Sequence, residues 1–242
     1  MMKHQITGVV LAGGASKRMG RSKAQLPVGN KRMIEWIVKA MDCLFDEILV
    51  VTHYPQTFPM LENVRFVQDA VETEQRSSLV GLYTGLLNAS NETIFVVPCD
   101  MPLLNRGLIE HMISLLDGED VRVPLMGQHF QPLHAFYRKS CLPFMRESID
   151  QKHFKIIRFY DEVLVRTIDE AAIKLFDPQL TSFINVNNEQ DYEKVLELWR
   201  RMEESWRCDW SQHGSFDGRK EQKNDKHRSA GNVQRKRENS YI

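Results

Sequence analysis

Short apolar runs alternate with amphipathic stretches along most of the chain. The runs at residues 6–11, 47–52 and 93–97 are continuously hydrophobic, which is typical of strands covered by helices on both faces of a parallel sheet. The intervening stretches carry apolar residues at helical spacing. The predicted strands are 6–11, 47–52, 64–68, 93–97, 133–138 and 163–168, and the predicted helices are 33–41, 78–88, 105–116, 141–148 and 188–199.

This alternation predicts an α/β fold, because parallel strands need helical crossovers, which are nearly always right-handed. The pattern is clearest up to residue 121 and weaker beyond it. We expect one domain over residues 1–200. Residues 201–242 are polar and contain few aliphatic side chains, so burial there would not offset the entropy of ordering the chain. We therefore expect a mobile C-terminal extension.

Composition narrows the possible functions. The 242 residues carry no formal net charge, so the chain as a whole offers no basic field for nucleic acid or anionic lipid. The apolar runs are far shorter than the roughly 18 residues of a membrane helix. The four cysteines are widely spaced and form no C-x-x-C pair, which argues against a zinc site or a disulfide scaffold and favours a reduced, cytoplasmic setting.

The loop after the first predicted strand combines adjacent glycines with Lys17, Arg18, Arg21 and Lys23. Glycine backbones can turn N–H groups toward a phosphate, and the cations would balance its charge. The loop matches neither the P-loop nor the G-x-G-x-x-G spacing. A glycine turn with solvated cations is the structural alternative. Because ligands of open parallel sheets bind beyond the carboxyl ends of the strands, the position of the loop favours a polyanion site.

Asp100 follows the strand predicted at 93–97 and would lie at the same edge of the sheet. A carboxylate there can hold Mg²⁺, which binds together with substrate phosphates. The alternative is a turn or helix-cap aspartate, although Asn105 is the better cap for the next helix. Cys99 has no histidine nearby in sequence, and we interpret it as a small packed side chain rather than a nucleophile.

Asp69 follows the third predicted strand and would reach the same edge. It could accept from a ribose hydroxyl or a base N–H, join a metal shell, or simply be a solvated turn residue. His53 and His134 follow or open predicted strands, where histidines are more often structural than ligands.

Three segments resemble the molybdenum cofactor guanylyltransferase (MobA) family. They are L-A-G-G-A-S-K-R-M-G-R-S-K at residues 11–23, P-C-D-M-P at 98–102 and F-I-N-V-N-N-E-Q-D at 183–191. The resemblance covers about residues 6–198. The first segment is the most specific, since it marks a wider nucleotidyltransferase superfamily. The resemblance implies a Rossmann-like, three-layer α/β/α fold with a mostly parallel central sheet.

The resemblance also implies GTP as donor, Mg²⁺ as cofactor, and molybdenum-bound molybdopterin as acceptor. The products of the implied reaction would be molybdopterin guanine dinucleotide and pyrophosphate. The backbone of Leu11, Ala12 and Gly13 would meet the nucleotide, and Lys23 the phosphates. Asp69 would contact the nucleotide and Asp100 would hold Mg²⁺. Arg18 would join Lys23 and Asp100 as a catalytic residue by stabilising charge on the triphosphate and the leaving pyrophosphate.

Two features bear on the choice of nucleotide. Cytidylyltransferases for the same cofactor typically have L-A-A-G in the first loop, and Gly13 here favours guanine. The family often has G-P-L-A-G before the third helix, whereas residues 77–81 are S-S-L-V-G, which leaves base or ribose contacts there open. His134 and the turn at residues 185–188 are candidates for the acceptor side.

Other functions stay open at this point. The acceptor could be a sugar phosphate, the enzyme could be a cytidylyltransferase, or the chain could bind and deliver a nucleotide or cofactor without chemistry. We expect a monomer that works with GTP and molybdopterin, and its expected partners include molybdoenzymes or their chaperones.

Overall fold

The computed structural model describes residues 3–13, 23–73 and 77–212. The described residues up to Glu203 form one compact unit, and those from Glu204 belong to a second. Within the described residues, the first unit is built on an eight-stranded sheet. Its strands are β1 His4–Leu11, β4 Phe45–Val51, β5 Arg65–Val67, β6 Thr93–Pro98, β7 Val121–Met126, β8 His129–Phe130, β9 Ala135–Arg138 and β10 Val165–Asp169. Their order in the sheet is β10-β7-β9-β6-β1-β4-β5, and β8 pairs with β7.

Helices cover both faces of the sheet. They are α1 Met33–Asp42, α2 Ser78–Asn88, α3 Arg106–Ser114, α4 Leu142–Asp150, α5 Glu170–Lys174 and α6 Glu189–Gln212. One apolar cluster joins α1 and α3 to the sheet, and a second joins α2 and α4 to the opposite face. The predicted three-layer α/β/α architecture is therefore confirmed.

The strands at the centre of the sheet are parallel. β1 pairs in parallel with β4 on one side and β6 on the other, and β4 pairs in parallel with β5. In β1, Val9 packs into the cluster with α2 while Val10 packs into the cluster with α1. Burial on both faces explains why these strands are continuously apolar.

The second half of the sheet departs from the predicted pattern. β9 runs antiparallel to both β6 and β7, so the sheet is mixed there. β7 was not among the predicted strands because Arg122 and Pro124 interrupt its apolar run. The strand predicted at 133–138 begins only at Ala135, since residues 131–134 form a turn in which His134 N–H donates to the Gln131 carbonyl.

The short hairpin of β2 Pro27–Val28 and β3 Lys31–Arg32 was also missed by the sequence prediction. Two-residue strands are too short to give a periodic signal. Gly29 joins the strands with a φ of 60°, a left-handed conformation that favours glycine. The hairpin begins at Pro27, four residues after Lys23, and packs in a third apolar cluster with α6.

The helix predicted to end at Trp199 extends to Gln212. Its start agrees with the sequence, because the Asn188 side chain accepts from the Asp191 backbone N–H at 2.9 Å, as an N-cap does. Asn105 likewise caps α3 by accepting from Leu108 N–H. The division predicted after residue 200 stays a prediction, and residues 213–242 of the expected tail lie outside the described residues.

Candidate active site

The carboxyl ends of β1, β4, β5 and β6 border a cavity of about 420 Å³. This is the edge at which open parallel sheets bind their ligands. Side chains or backbone from all four strands or the loops that follow them line the cavity. They include Leu11, Val51, Asp69, Pro98 and Asp100. Described residues from each of the three loops that the sequence predicted to converge, Gly13, Asp69 and Asp100, therefore line one cavity.

Lys23 brings a cation to the same place as Asp100. Its Nζ atom lies 3.7 Å from Oδ2 of Asp100 and donates to Oδ1 of Asn187 at 3.0 Å. Both charged side chains are mostly shielded from solvent, with 16% of Lys23 and 23% of Asp100 exposed. Backbone contacts fix the arrangement, since Val186 N–H donates to the Asp100 carbonyl at 2.9 Å. The Lys23 ammonium therefore lies against two residues of the cavity wall, Asp100 and Asn187.

Burial raises the pKa of the Asp100 carboxyl above its ordinary value, and the nearby Lys23 ammonium opposes that shift. A second cation in the cavity would stabilise the ionised form of this partly buried carboxylate. Asn185 and Asn187 also line the cavity and carry amide oxygens. In the part of the chain that the structure describes, no three His, Cys, Asp or Glu side chains form a complete metal-binding cluster. One carboxylate with neutral oxygens suits Mg²⁺, which commonly completes its shell with water and substrate phosphates.

Asp69 lies across the cavity from this group, at the end of β5. Its Oδ2 atom is 2.9 Å from Nε2 of His53, which follows β4. The sequence favoured a structural His53 over a ligand, but it did not identify Asp69 as its partner. The signal available in the sequence was that both residues directly follow neighbouring parallel strands.

The backbone of residues 11–13 is partly committed to the sheet. Leu11 accepts from Cys99 N–H at 3.0 Å, and Ala12 donates to the Val51 carbonyl at 2.9 Å. Leu11 and Gly13 both line the cavity. The Ala12 N–H therefore already has an acceptor, and it is Leu11 and Gly13 that face the space a nucleotide would occupy.

The first turn of α2 forms another wall of the cavity, through Ser77, Ser78 and Gly81. Ser77 caps the helix by accepting from Leu79 N–H at 3.1 Å. Gly81 packs closely on β1, since a Cβ there would lie 3.3 Å from Leu11 Cδ2. The S-S-L-V-G segment thus keeps the glycine that approaches Leu11 and supplies two hydroxyl groups. Neither serine was among the predicted site residues.

A second cavity of about 610 Å³ adjoins the first and shares Ser77, Ser78 and Leu133 with it. Phe130, Phe154 and Lys155 are among its other lining residues.

His134 faces neither cavity, although the sequence suggested it for the acceptor side. It is fully buried and packs against the rings of Phe95 and Phe183. Burial lowers the pKa of its imidazole to about 4. His134 is therefore a neutral core residue with no surface to offer an acceptor.

Two further predicted features have different outcomes. Arg18, with the neighbouring cations Lys17 and Arg21, lies outside the described residues. Cys99 lines the cavity, but burial raises the pKa of its thiol to about 12 and Asp100 adds to the shift. A thiol held in its protonated form is a poor nucleophile, which agrees with the packing role expected for Cys99.

Solved structures share the fold of this chain. The chain is similar to the molybdopterin-guanine dinucleotide biosynthesis protein A of Archaeoglobus fulgidus, with a TM-score of 0.71, 22% identity and coverage of 81% of this chain and 100% of that one. A nucleotidyl transferase from Methanothermobacter gives a TM-score of 0.60 at 19% identity, over 81% and 98% of the two chains. The chain therefore shares the fold of these two proteins.

Sequence comparison defines the family more closely. The model of the MobA-like NTP transferase domain matches residues 8–163, and the chain belongs to this family. It is 36% identical to a "Probable molybdenum cofactor guanylyltransferase" of Natranaerobius thermophilus, over 80% of this chain and 96% of the relative. It is 32% identical to a molybdenum cofactor guanylyltransferase of Desulfosudis oleivorans, over 78% and 94%.

Within the part of the chain that the structure describes, no helix is both long and apolar enough to cross a membrane.

Proposed function

We propose that this chain transfers GMP from GTP to the terminal phosphate of molybdenum-bound molybdopterin, forming molybdopterin guanine dinucleotide and pyrophosphate. The observation that carries the proposal is that Lys23, from a separate loop, lies 3.7 Å from Asp100, which lines the cavity at the ends of β1 and β6. The names of the relatives supply the donor and the acceptor.

The chemistry requires positioning and charge neutralisation more than a strong base. A phosphate oxygen of the acceptor attacks the α-phosphorus of GTP, the bond between that phosphorus and the bridging oxygen breaks, and pyrophosphate leaves with the electron pair. A phosphate monoester has a second pKa of about 6, so the attacking group is already mostly dianionic at neutral pH. This is consistent with a site that offers an ammonium and a carboxylate rather than a Ser-His or Cys-His pair.

Each residue has a role under this proposal. Lys23 binds the triphosphate and stabilises the charge that develops on the leaving pyrophosphate. Asp100, with the amide oxygens of Asn185 and Asn187 nearby, would hold Mg²⁺. When bound, Mg²⁺ would neutralise phosphate charge and orient the phosphate oxygens. Arg18 would assist Lys23.

The second cavity offers room for the acceptor. It opens beside the first and combines the aromatic side chains of Phe130 and Phe154 with the ammonium of Lys155. Flat apolar surfaces suit a pterin ring, and a cation suits an anionic ester. We therefore place the acceptor here, with its phosphate reaching the first cavity across the shared wall at Ser77 and Leu133.

The proposed setting is the reducing cytoplasm, where Cys43, Cys99 and Cys141 would stay as the free thiols they are in the structure. We propose that the chain acts as a monomer and supplies its product to molybdoenzymes or their chaperones.

The test measures pyrophosphate release from GTP or CTP, each with molybdenum-loaded molybdopterin, in the presence of Mg²⁺ or of a chelator. The proposal predicts release with GTP, Mg²⁺ and acceptor together, and little with CTP. Equal or faster release with CTP would identify a cytidylyltransferase instead. Release with a sugar phosphate as acceptor but none with molybdopterin would identify the other enzyme class, and tight GTP binding with no release would favour a delivery protein.

A further inference from the structure

His53 and Asp69 form a pair at the cavity of about 420 Å³, which we call the donor cavity because GTP, the proposed donor of GMP, would bind there. Nε2 of His53 lies 2.9 Å from Oδ2 of Asp69, and the two residues follow the neighbouring parallel strands β4 and β5. About a third of the His53 side chain and a fifth of the Asp69 side chain are exposed, at 33% and 21%. Nε2 is therefore the imidazole nitrogen that donates to the carboxylate.

The two members of the pair have different access to a ligand. Asp69 lines the donor cavity, whereas His53 is not among the residues that line it. His53 can therefore influence a bound nucleotide only through Asp69. Because Oδ2 is engaged by the imidazole, the second carboxylate oxygen, Oδ1, is the one left for a ligand.

The surroundings of Asp69 favour a base over a sugar. The cavity wall near it contains Leu11 and Val51, which are aliphatic, and Gly81, which exposes backbone in place of a side chain. Aliphatic walls suit the flat face of a heterocycle better than a hydroxylated ribose. Guanine presents adjacent N–H donors at N1 and at its 2-amino group, and a carboxylate oxygen is a strong, charge-assisted acceptor for them.

We propose that His53 is a positioning residue for donor selection, holding Asp69 so that its free carboxylate oxygen accepts from the amide edge of a guanine base. This inference rests on the proposed function for the identity of the donor. Cytosine has no ring N–H on its pairing edge. An oriented carboxylate therefore accepts stronger hydrogen bonds from guanine than from cytosine and stabilises bound GTP more than bound CTP. Without His53 the carboxylate can rotate, and the selectivity between the two bases should fall.

The test measures the affinities of GTP and CTP in the presence of Mg²⁺ and without acceptor, for the intact chain and for His53→Ala. We expect His53→Ala to weaken GTP by about 3- to 10-fold, the range of one hydrogen bond, and CTP by less than about 2-fold. His53→Gln keeps an N–H donor at similar reach and should restore most of the preference for GTP. Asp69→Asn should lose the preference, and His53→Ala should then have no further effect.

His4→Ala is the matched control, because His4 lies at the opposite end of β1 and should leave both affinities unchanged. Equal weakening of GTP and CTP in His53→Ala, or no weakening, would overturn the proposal. So would an intact chain that binds the two nucleotides equally. Because no acceptor is present, this result is separate from the transfer assay: selective binding without transfer would contradict the proposed function while leaving the role of His53 supported.

Discussion

At the scale of single residues, the charges of the candidate site compensate each other. Lys23 and Asp100 are 3.7 Å apart, and Lys23 also donates to Asn187, a residue 164 positions later in the chain. The sequence indicated Lys23 and Asp100 because each follows a strand whose carboxyl end faces the ligand edge. It could not pair Lys23 with Asn187, since that contact depends on how the start of α6 packs against the body.

Replacing Lys23 tests its proposed role directly. We expect Lys23→Ala to lower kcat/KM for GMP transfer by an amount equivalent to about 2 to 4 kcal/mol, the usual effect of removing a group that stabilises transition-state charge. The control is Lys31→Ala, since Lys31 lies on the hairpin after Lys23 but pairs with Glu35 at 3.9 Å. The steady-state transfer rates of the two variants are compared after confirming that the same fraction of each is folded. An unchanged kcat/KM in Lys23→Ala would remove Lys23 from the site.

A second residue-scale prediction concerns stability at the opposite end of the sheet. Burial disfavours the charge of Glu47, but hydrogen bonds from Thr7, Arg65 and Ser90 outweigh it and lower the pKa of Glu47 from 4.5 to about 2. The carboxylate therefore binds no proton in the folded state at a pH where the unfolded chain does. Its contribution is complete above pH 4.5 and is lost as the pH falls toward 2.

We expect Glu47→Gln to lower the free energy of unfolding by about 1 to 2 kcal/mol at pH 7, after allowance for solvent screening. Urea unfolding of both proteins at neutral pH and near pH 3 measures the difference. The gap should be smaller at the lower pH, because the wild-type carboxylate is then losing its advantage. A gap of equal size at both values would contradict this explanation.

At the scale of elements, the β2–β3 hairpin and α6 together locate Lys23. Trp36 on α1 donates from Nε1 to the Val28 carbonyl at 2.8 Å, and its ring lies 4.0 Å from that of Trp199 on α6. Leu26 N–H donates to the Lys23 carbonyl at 3.0 Å. The apolar positions of α1 and α6 were predictable as helix faces. Their meeting over a two-residue hairpin was not, because so short an element leaves no periodic pattern.

Gly29 is the sensitive point of this packing. Its φ is 60°, and a Cβ there would lie 2.6 Å from Nε1 of Trp199. Gly127 has nearly the same φ, 58°, but open space around it. Gly127→Ala should therefore cost only the backbone strain, about 1 to 2 kcal/mol. Gly29→Ala should cost more and should also slow transfer by displacing the hairpin after Lys23.

Thermal or urea unfolding of the two glycine variants, together with their transfer rates, measures both effects. The matched φ values isolate the contribution of the Trp199 contact. Equal destabilisation of the two variants would show that the contact is not important for stability. Normal transfer by a clearly destabilised Gly29→Ala would show that the hairpin does not position Lys23.

At the scale of the whole molecule, the parallel centre of the sheet was predictable and its far side was not. β1, β4 and β6 are buried on both faces, so their sequences carry a strong apolar signal. β7 contains Arg122, whose Nε pairs with the buried Glu119 carboxylate. This charged residue interrupts the apolar pattern by which the strand could be predicted. The antiparallel insertion of β9 between β6 and β7 depends on long-range pairing, which a local pattern does not encode.

The same distinction explains the site. The loops that follow parallel strands can be predicted from the order of strands and helices along the chain, and this order identified Asp69 and Asp100 as candidate site residues. The contribution of Ser77 and Ser78 depends on how α2 packs against β1, and the pairing of His53 depends on side-chain direction. Such features follow from the assembled fold rather than from any one segment.

The central claim is that the ends of β1 and β6 form one binding site for a nucleoside triphosphate, and a crystal structure with GTP and Mg²⁺ bound tests it most directly. We predict the triphosphate against Gly13 and Lys23, a metal ion on Asp100, and the base beside Asp69. A triphosphate bound in ordered density away from this cavity, with Lys23 and Asp100 both out of contact with it, would contradict the claim.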